Sequence, residues 1–349
     1  MSRSALALLP PRATTAIGSL PHTQGELGLQ LAFQLDVPFL PELPGGNPAE
    51  FMMASALEGL PGLSFDAQGM CSVALAAWEA GAPAFAARLE AALASGDLSS
   101  FEPSASARRA WRPFLWEVQH RRLALAKAQL AGPATVRWGT LLEGGGPVSE
   151  HPGLDRQVFR LLLARCLAMV KALRVAGATP LFYLDEPGLY ALDTEDGRHL
   201  LMLQELRLLV VALQREGALV GLHCCGNTRW EALLELGLDL LSFDVRLSLD
   251  ALLDVPGPLE AFLRSGGALS LGIVPTDLGE EASMLDLAAA TEASLESVLG
   301  SATAQAALER SVLTPACGLA LRTVPDAEQI VEQLRVAQAA LAGAKKEGG

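Results

Sequence analysis

Short apolar runs recur along this chain, and each gives way to a segment with helical periodicity. That alternation limits the fold more than any other feature of the sequence. Two such runs lie near the start, Thr14 to Ser19 and Val37 to Leu43, followed by helical residues 25–35 and 48–58. Further runs begin near Ala134, Pro180, Leu219, Asp239, Ala268 and Ser311. Helical segments follow them at 154–176, 196–215, 228–236, 256–265, 284–299 and 325–342. Strands that alternate with helices pair in parallel, because each crossover returns the chain to the same end of the sheet. Eight such units in 349 residues predict an α/β fold, a single (β/α)8 TIM barrel over residues 1–349.

Between about 60 and 130 the alternation lapses. Ala74 to Ala94 is Ala-rich and helical, Ser95 to Ser106 is a polar loop, and Ala107 to Leu130 reads as one long basic amphipathic helix. We expect an extra helical insertion here. Arg108, Arg109, Arg112, Arg121 and Arg122 read as its solvated face. Gly144-Gly145-Gly146 lacks the spacing of a dinucleotide fingerprint and reads as a flexible loop.

Half the residues are hydrophobic, enough for a large core. The net charge of −13 argues against nucleic acid and anionic membranes as partners. Five cysteines, an odd and low number for this length, argue against a disulfide framework and for reduced thiols in a cytoplasmic protein. The run Ala5 to Leu9 is too short for a signal peptide, and no apolar run is long enough to span a bilayer.

In such a barrel, reactive residues sit where strands end. His223 and Cys225 close the run that starts at Leu219. Two apart in an extended strand, they point to one face, where an imidazole and a thiolate make half of a zinc site. Ser19 and His22 follow the first run, and Trp138 ends the third. Asp185 and Glu186 end the fourth, Asp244 the sixth and Cys317 the eighth. Cys224 points the other way, toward the helices. Cys71 and Cys166 read as core, and His120, His151 and His199 as surface.

Four of these stretches, in order, are similar to the catalytic half of cobalamin-independent methionine synthase. That family lies in a wider superfamily with uroporphyrinogen decarboxylase and zinc-dependent corrinoid:thiol methyltransferases. They are Thr15-Ala16-Ile17-Gly18-Ser19-Leu20-Pro21-His22-Thr23, Leu184-Asp185-Glu186-Pro187, His223-Cys224-Cys225 and Thr314-Pro315-Ala316-Cys317-Gly318-Leu319. Gly132-Pro133 to Trp138 is a softer fifth match. The resemblance implies a zinc-dependent, cytoplasmic methyltransferase of methionine biosynthesis, with homocysteine as acceptor. Zinc would be held by His223, Cys225, Cys317 and Asp244, an aspartate where the family has glutamate. Ser19, His22, Trp138 and Asp185 would bind substrate, with Asp185 and Glu186 catalytic. The donor would be a methyl-folate or a methyl-corrinoid, the latter carried by a corrinoid protein. The loop Gly272-Ile273-Val274-Pro275-Thr276-Asp277 lacks the family's histidine, which favours the corrinoid, because a folate nitrogen leaves only when protonated.

Two other functions fit the alternation. One is a metal-free decarboxylase like the uroporphyrinogen enzyme, for which His223, Cys225 and Cys317 would have no use. The other is a barrel that binds metal or a corrinoid partner without turnover.

Overall fold

The computed structural model describes residues 6–277 and 284–343. Its strands are β1 (Ala13–Thr14), β2 (Leu63–Phe65), β3 (Cys71–Val73), β4 (Leu125–Ala131), β5 (Leu141–Leu142), β6 (Thr179–Asp185), β7 (Leu219–Cys224), β8 (Leu240–Asp244), β9 (Ala268–Val274) and β10 (Val312–Pro315). Seven of them form one sheet in the order β1-β10-β9-β8-β7-β6-β4, every pair parallel. β4, β7, β8 and β9 are buried along their whole length. That is why β7, β8 and β9 read as largely apolar runs, as strands of a parallel sheet with both faces covered do; β4 carries Lys127 and Gln129 and does not.

The two edge strands, β1 and β4, are linked by the run Val37 to Leu43. On one side the Val37 amide donates to the Thr14 carbonyl (3.0 Å) and Glu42 to Gly18 (3.0 Å). On the other, the Lys127 amide donates to Pro38 (2.8 Å) and Leu40 to Lys127 (2.9 Å). Only isolated bridges form, Ser19 with Glu42 and Phe39 with Lys127. Pro38 and Pro41 have no amide hydrogen to give, so a regular ladder cannot run through this segment. The fold is thus α/β and TIM-like, with seven laddered strands; the expected eighth place is held without a ladder.

One apolar layer lies inside the sheet, made by Ala13, Val37, Leu125, Leu181, Tyr183, Leu219, Leu240, Ala268 and Val312. A larger core lies between the sheet and the helices, among them Pro152–Val175, Gly197–Arg215, Met284–Leu299 and Val324–Gly343. No helix among the described residues is long and apolar enough to cross a membrane.

The segment before residue 140 differs from the sequence reading. The helix expected from Ala107 to Leu130 is two elements, a helix at Trp111–His120 and then β4. Arg122, at φ 53°, makes the break. The third strand is therefore β4, and the stretch at Ala134 is a helix, Pro133–Gly139, with proline in its first turn. Lys127 and Gln129 misled the periodicity: they are polar, yet they point into the sheet's interior, where Lys127 Nζ donates to the Ile17 carbonyl (2.6 Å). The insertion is also not purely helical. It includes the helix Leu75–Ser95 and contributes β2 and β3 to a small sheet, β2-β3-β5.

Candidate metal centre and adjoining pocket

β7 carries His223 to the end of the sheet, and the loop after it presents Cys225. The turn after β10 brings Cys317 alongside. Their donor atoms all lie within 4.8 Å of one another. The His223 Nε2 is buried and has no hydrogen-bond partner, while its Nδ1 lies 2.9 Å from the Ser242 Oγ. A serine hydroxyl can accept from a protonated Nδ1, and in that tautomer the Nε2 lone pair is free for a metal. The Cys225 and Cys317 sulfurs lie close together. Sharing a proton between them, aided by the nearby imidazole, draws Cys317 well below the ordinary thiol range and pushes Cys225 upward. One nitrogen and two sulfurs, one sulfur disposed to ionise, are the donor set of a zinc or similar borderline metal. Three protein ligands would leave a fourth position open, as catalytic zinc sites do. The residues present fit the metal.

These three side chains line a cavity of about 230 Å³, together with Ile17, Ser19, Glu42, Glu50, Phe51, Met52 and Asp185, among others. Asp185 is buried, its Oδ1 has no partner, and loss of solvent pushes its pKa up to about 7 against the pull of Lys127 and His223. Ser19 packs so closely on the turn after Cys317 that a Cβ on Gly318 would lie 2.2 Å from its Oγ. Gly18, at φ +153°, is crowded in the same way: a Cβ there would lie 2.2 Å from the Gln129 amide nitrogen.

The other expected site residues lie elsewhere. The Glu186 carboxylate is fully buried and accepts from the amides of Ala134 (3.0 Å) and Thr135 (2.7 Å) and the Thr135 hydroxyl (2.7 Å). It anchors the first turn of the Pro133–Gly139 helix, and burial raises its pKa to about 7. Asp244 is outside the converging trio; its Oδ1 accepts from the Arg246 amide (2.9 Å) and so caps the helix Val245–Leu253. His22 is buried, and its Nε2 is 4.0 Å from the Glu328 carboxylate rather than in the cavity. Trp138 packs against His199 with the rings tilted by 36°, centroids 4.4 Å apart. It lines a second cavity of about 420 Å³, on whose wall Cys225 also lies, with Met53 and Tyr190.

Glu42 and Glu50 were not read from the sequence as site residues. Glu42 ends the Val37–Leu43 run, so the rule that picked out Asp185 applies to it equally. Arg108 and Arg109 do not lie on a solvated face. Arg108 is wholly buried with its guanidinium 2.6 Å from Glu42, and Arg109 Nε is 2.5 Å from Glu50. Cys71, Cys166 and Cys224 are buried, Cys224 in the core between sheet and helices.

No protein-family model matches this chain, and no curated protein does. Among solved structures, the chain is similar to a methyltransferase from Methanosarcina mazei, with a TM-score of 0.57 and 15% identity. The match covers 97% of this chain and 98% of that one. At that identity the likeness concerns the fold.

Proposed function

We propose that this protein is a zinc-dependent methyltransferase that methylates a small thiol, with homocysteine as the acceptor that best suits the cavity. The observation that carries the reading is that His223, Cys225 and Cys317 converge on the wall of a cavity that also holds Asp185 and Ser19. His223, Cys225 and Cys317 would hold the metal. Zinc bound there supplies a lowered pKa to a coordinated thiol, so that a thiolate is present at neutral pH. The chain's own groups do the rest. Asp185, with an unpaired buried oxygen, receives the ammonium group of the ligand. Ile17, Phe51 and Met52 form an apolar flank that keeps bulk water from the sulfur. The second cavity beside Cys225, with Trp138 on its wall, is where we place the methyl donor, a methyl-corrinoid or a methyl-folate. In this reading the run Val37 to Leu43 serves as the second strand of an eight-fold barrel, and resemblance to the methionine synthase family extends to function.

A decarboxylase acting on a tetrapyrrole needs cations to meet the acid side chains of its substrate. The lining of the central cavity includes three carboxylates, Glu42, Glu50 and Asp185, and no arginine or lysine. That chemistry favours an ammonium-bearing ligand over a polyacid.

The test is metal analysis of the purified protein, coupled to an assay of methionine formed from homocysteine with methylcobalamin or methyl-folate. About one zinc per chain and turnover with either donor support the proposal. Protein isolated metal-free under reducing, chelator-free conditions overturns it.

A further inference from the structure

The insertion before β4 carries two consecutive arginines that reach the pocket wall from behind. Arg108 and Arg109 stand just before the helix Trp111–His120. Arg108 lies against Glu42, and its Nε donates to the Ser55 Oγ (2.8 Å). Gln129 Nε2 also donates to the Glu42 Oε1 (3.2 Å). Arg109 binds Glu50 and spreads its other nitrogens onto the carbonyls of Thr23 (3.1 Å) and Leu43 (2.8 Å). The second Glu50 oxygen accepts from the Leu43 amide (3.1 Å). Neither arginine is among the residues lining the cavity; the two glutamates are.

Two of the three lining carboxylates are thus paired with guanidinium groups outside the cavity, Glu50 through a hydrogen-bonded ion pair and Glu42 through close charge contact alone. Asp185 is not. The nearest lysine, Lys127, spends its ammonium on the Ile17 carbonyl (2.6 Å) and the Gln129 Oε1 (3.1 Å). The Asp185 Oδ1 remains without a partner.

We infer that Arg108 and Arg109 are positioning residues that set the ligand's charge pattern. By occupying Glu42 and Glu50 they leave one open carboxylate, that of Asp185, so the pocket takes a thiol with one ammonium group and tolerates a carboxylate beside it. The inference rests on the thiol-pocket reading above; what it adds is that two side chains outside the cavity set the preference for a zwitterionic α-amino thiol over a cationic aminothiol. If Glu42 were released, a second open carboxylate would repel the ligand's carboxylate and attract additional positive charge.

Calorimetric binding to the zinc-loaded protein tests this without a methyl donor. The two probes are homocysteine and 3-aminopropane-1-thiol, which lacks only the carboxylate. Wild type should bind homocysteine at least as tightly. Arg108→Gln should shift the ratio of the two affinities about tenfold toward the aminothiol, and Arg108→Lys should restore most of it. Arg109→Gln, at a side chain 32% exposed, should shift the ratio the same way and is the variant to use if the buried Arg108→Gln protein does not fold. An equal loss for both thiols, or an unchanged ratio in the folded variants, overturns the inference while leaving the thiol reading intact. If wild type binds neither thiol, the functional reading falls, and this inference with it.

Discussion

The imidazole Nδ1 of His223 lies 2.9 Å from the hydroxyl of Ser242, its register partner on the neighbouring strand β8. The pairing of β7 with β8 therefore sets the two side chains beside each other on one face, with the hydroxyl in reach of the ring. Partners of this kind fix the tautomer of a ligating histidine, and their loss typically costs about 10–100-fold in metal affinity. Ser242→Ala should weaken zinc by about that factor with the fold retained, read by competition with a chromogenic chelator. Unchanged affinity would mean that the ring is held by packing alone.

Cys225 and Cys317 come from loops separated by 92 positions in sequence numbering, 317 minus 225, and meet only through the sheet. Removing either thiol takes away one of two soft donors in the trio. Cys225→Ser and Cys317→Ser should each purify with well under one zinc per chain, whereas Cys224→Ser should keep its metal. Cys224 is packed in the core between sheet and helices, and its sulfur is not one of the converging donors. A Cys224 variant that lost zinc as readily as the other two would undo the assignment.

How far the sequence revealed this site can be traced through particular residues. The strand-end rule placed His223, Cys225, Cys317, Ser19 and Asp185, and all five line one cavity. Period-two and helical patterns also located most helices from residue 150 on to within a few positions. The rule failed where polar side chains point inward. Lys127 and Gln129 gave β4 the look of an amphipathic helix, so the third strand was expected about nine residues late. Arg108 and Arg109 read as solvated because arginine usually is, and nothing local records the glutamates that receive them. Glu186 and Asp244 stand at strand ends as expected, but their carboxylates turn to the amides of nearby helix starts. The sequence has no local mark that separates a carboxylate facing a cavity from one capping a helix.

Asp185 and Glu186 are adjacent, yet they should behave oppositely on substitution. Asp185→Asn should weaken homocysteine binding by at least tenfold and leave the thermal midpoint within a few degrees of wild type. Glu186→Gln should leave thiol affinity nearly unchanged and alter stability in a pH-dependent way. Burial raises Glu186 from 4.5 to about 7 in the folded protein. A carboxyl raised in this way contributes stability that is complete below its unfolded value and is lost as pH climbs through the folded one. Wild type should therefore lose more stability than Glu186→Gln between pH 5 and pH 8, by an amount of order 1–3 kcal/mol. Urea midpoints at the two pH values give the comparison. Parallel pH profiles would show that the Glu186 carboxyl is not strained by burial.

Asp244 tests whether the metal has a fourth protein ligand. The family resemblance assigns it to zinc, whereas its Oδ1 accepts from the Arg246 amide at the start of the helix Val245–Leu253. A carboxylate has lone pairs enough to do both, most simply with its second oxygen on the metal. Its donor atoms lie outside the group formed by His223, Cys225 and Cys317. We therefore expect its main energetic role to be the cap. Asp244→Ala should cost about 1 kcal/mol of stability, the usual loss when a capping side chain is removed, and Asp244→Asn should recover most of it. Zinc stoichiometry should stay near one per chain in both variants. Loss of the carboxylate's negative charge should lower affinity only modestly, through the field at the metal. X-ray absorption of the zinc-loaded proteins provides the decisive comparison. A first shell of one nitrogen and two sulfurs, unchanged between wild type and Asp244→Ala, leaves the aspartate as a cap. An oxygen scatterer near 2.0–2.2 Å, present in wild type and replaced or lost in the alanine variant, would make Asp244 a ligand.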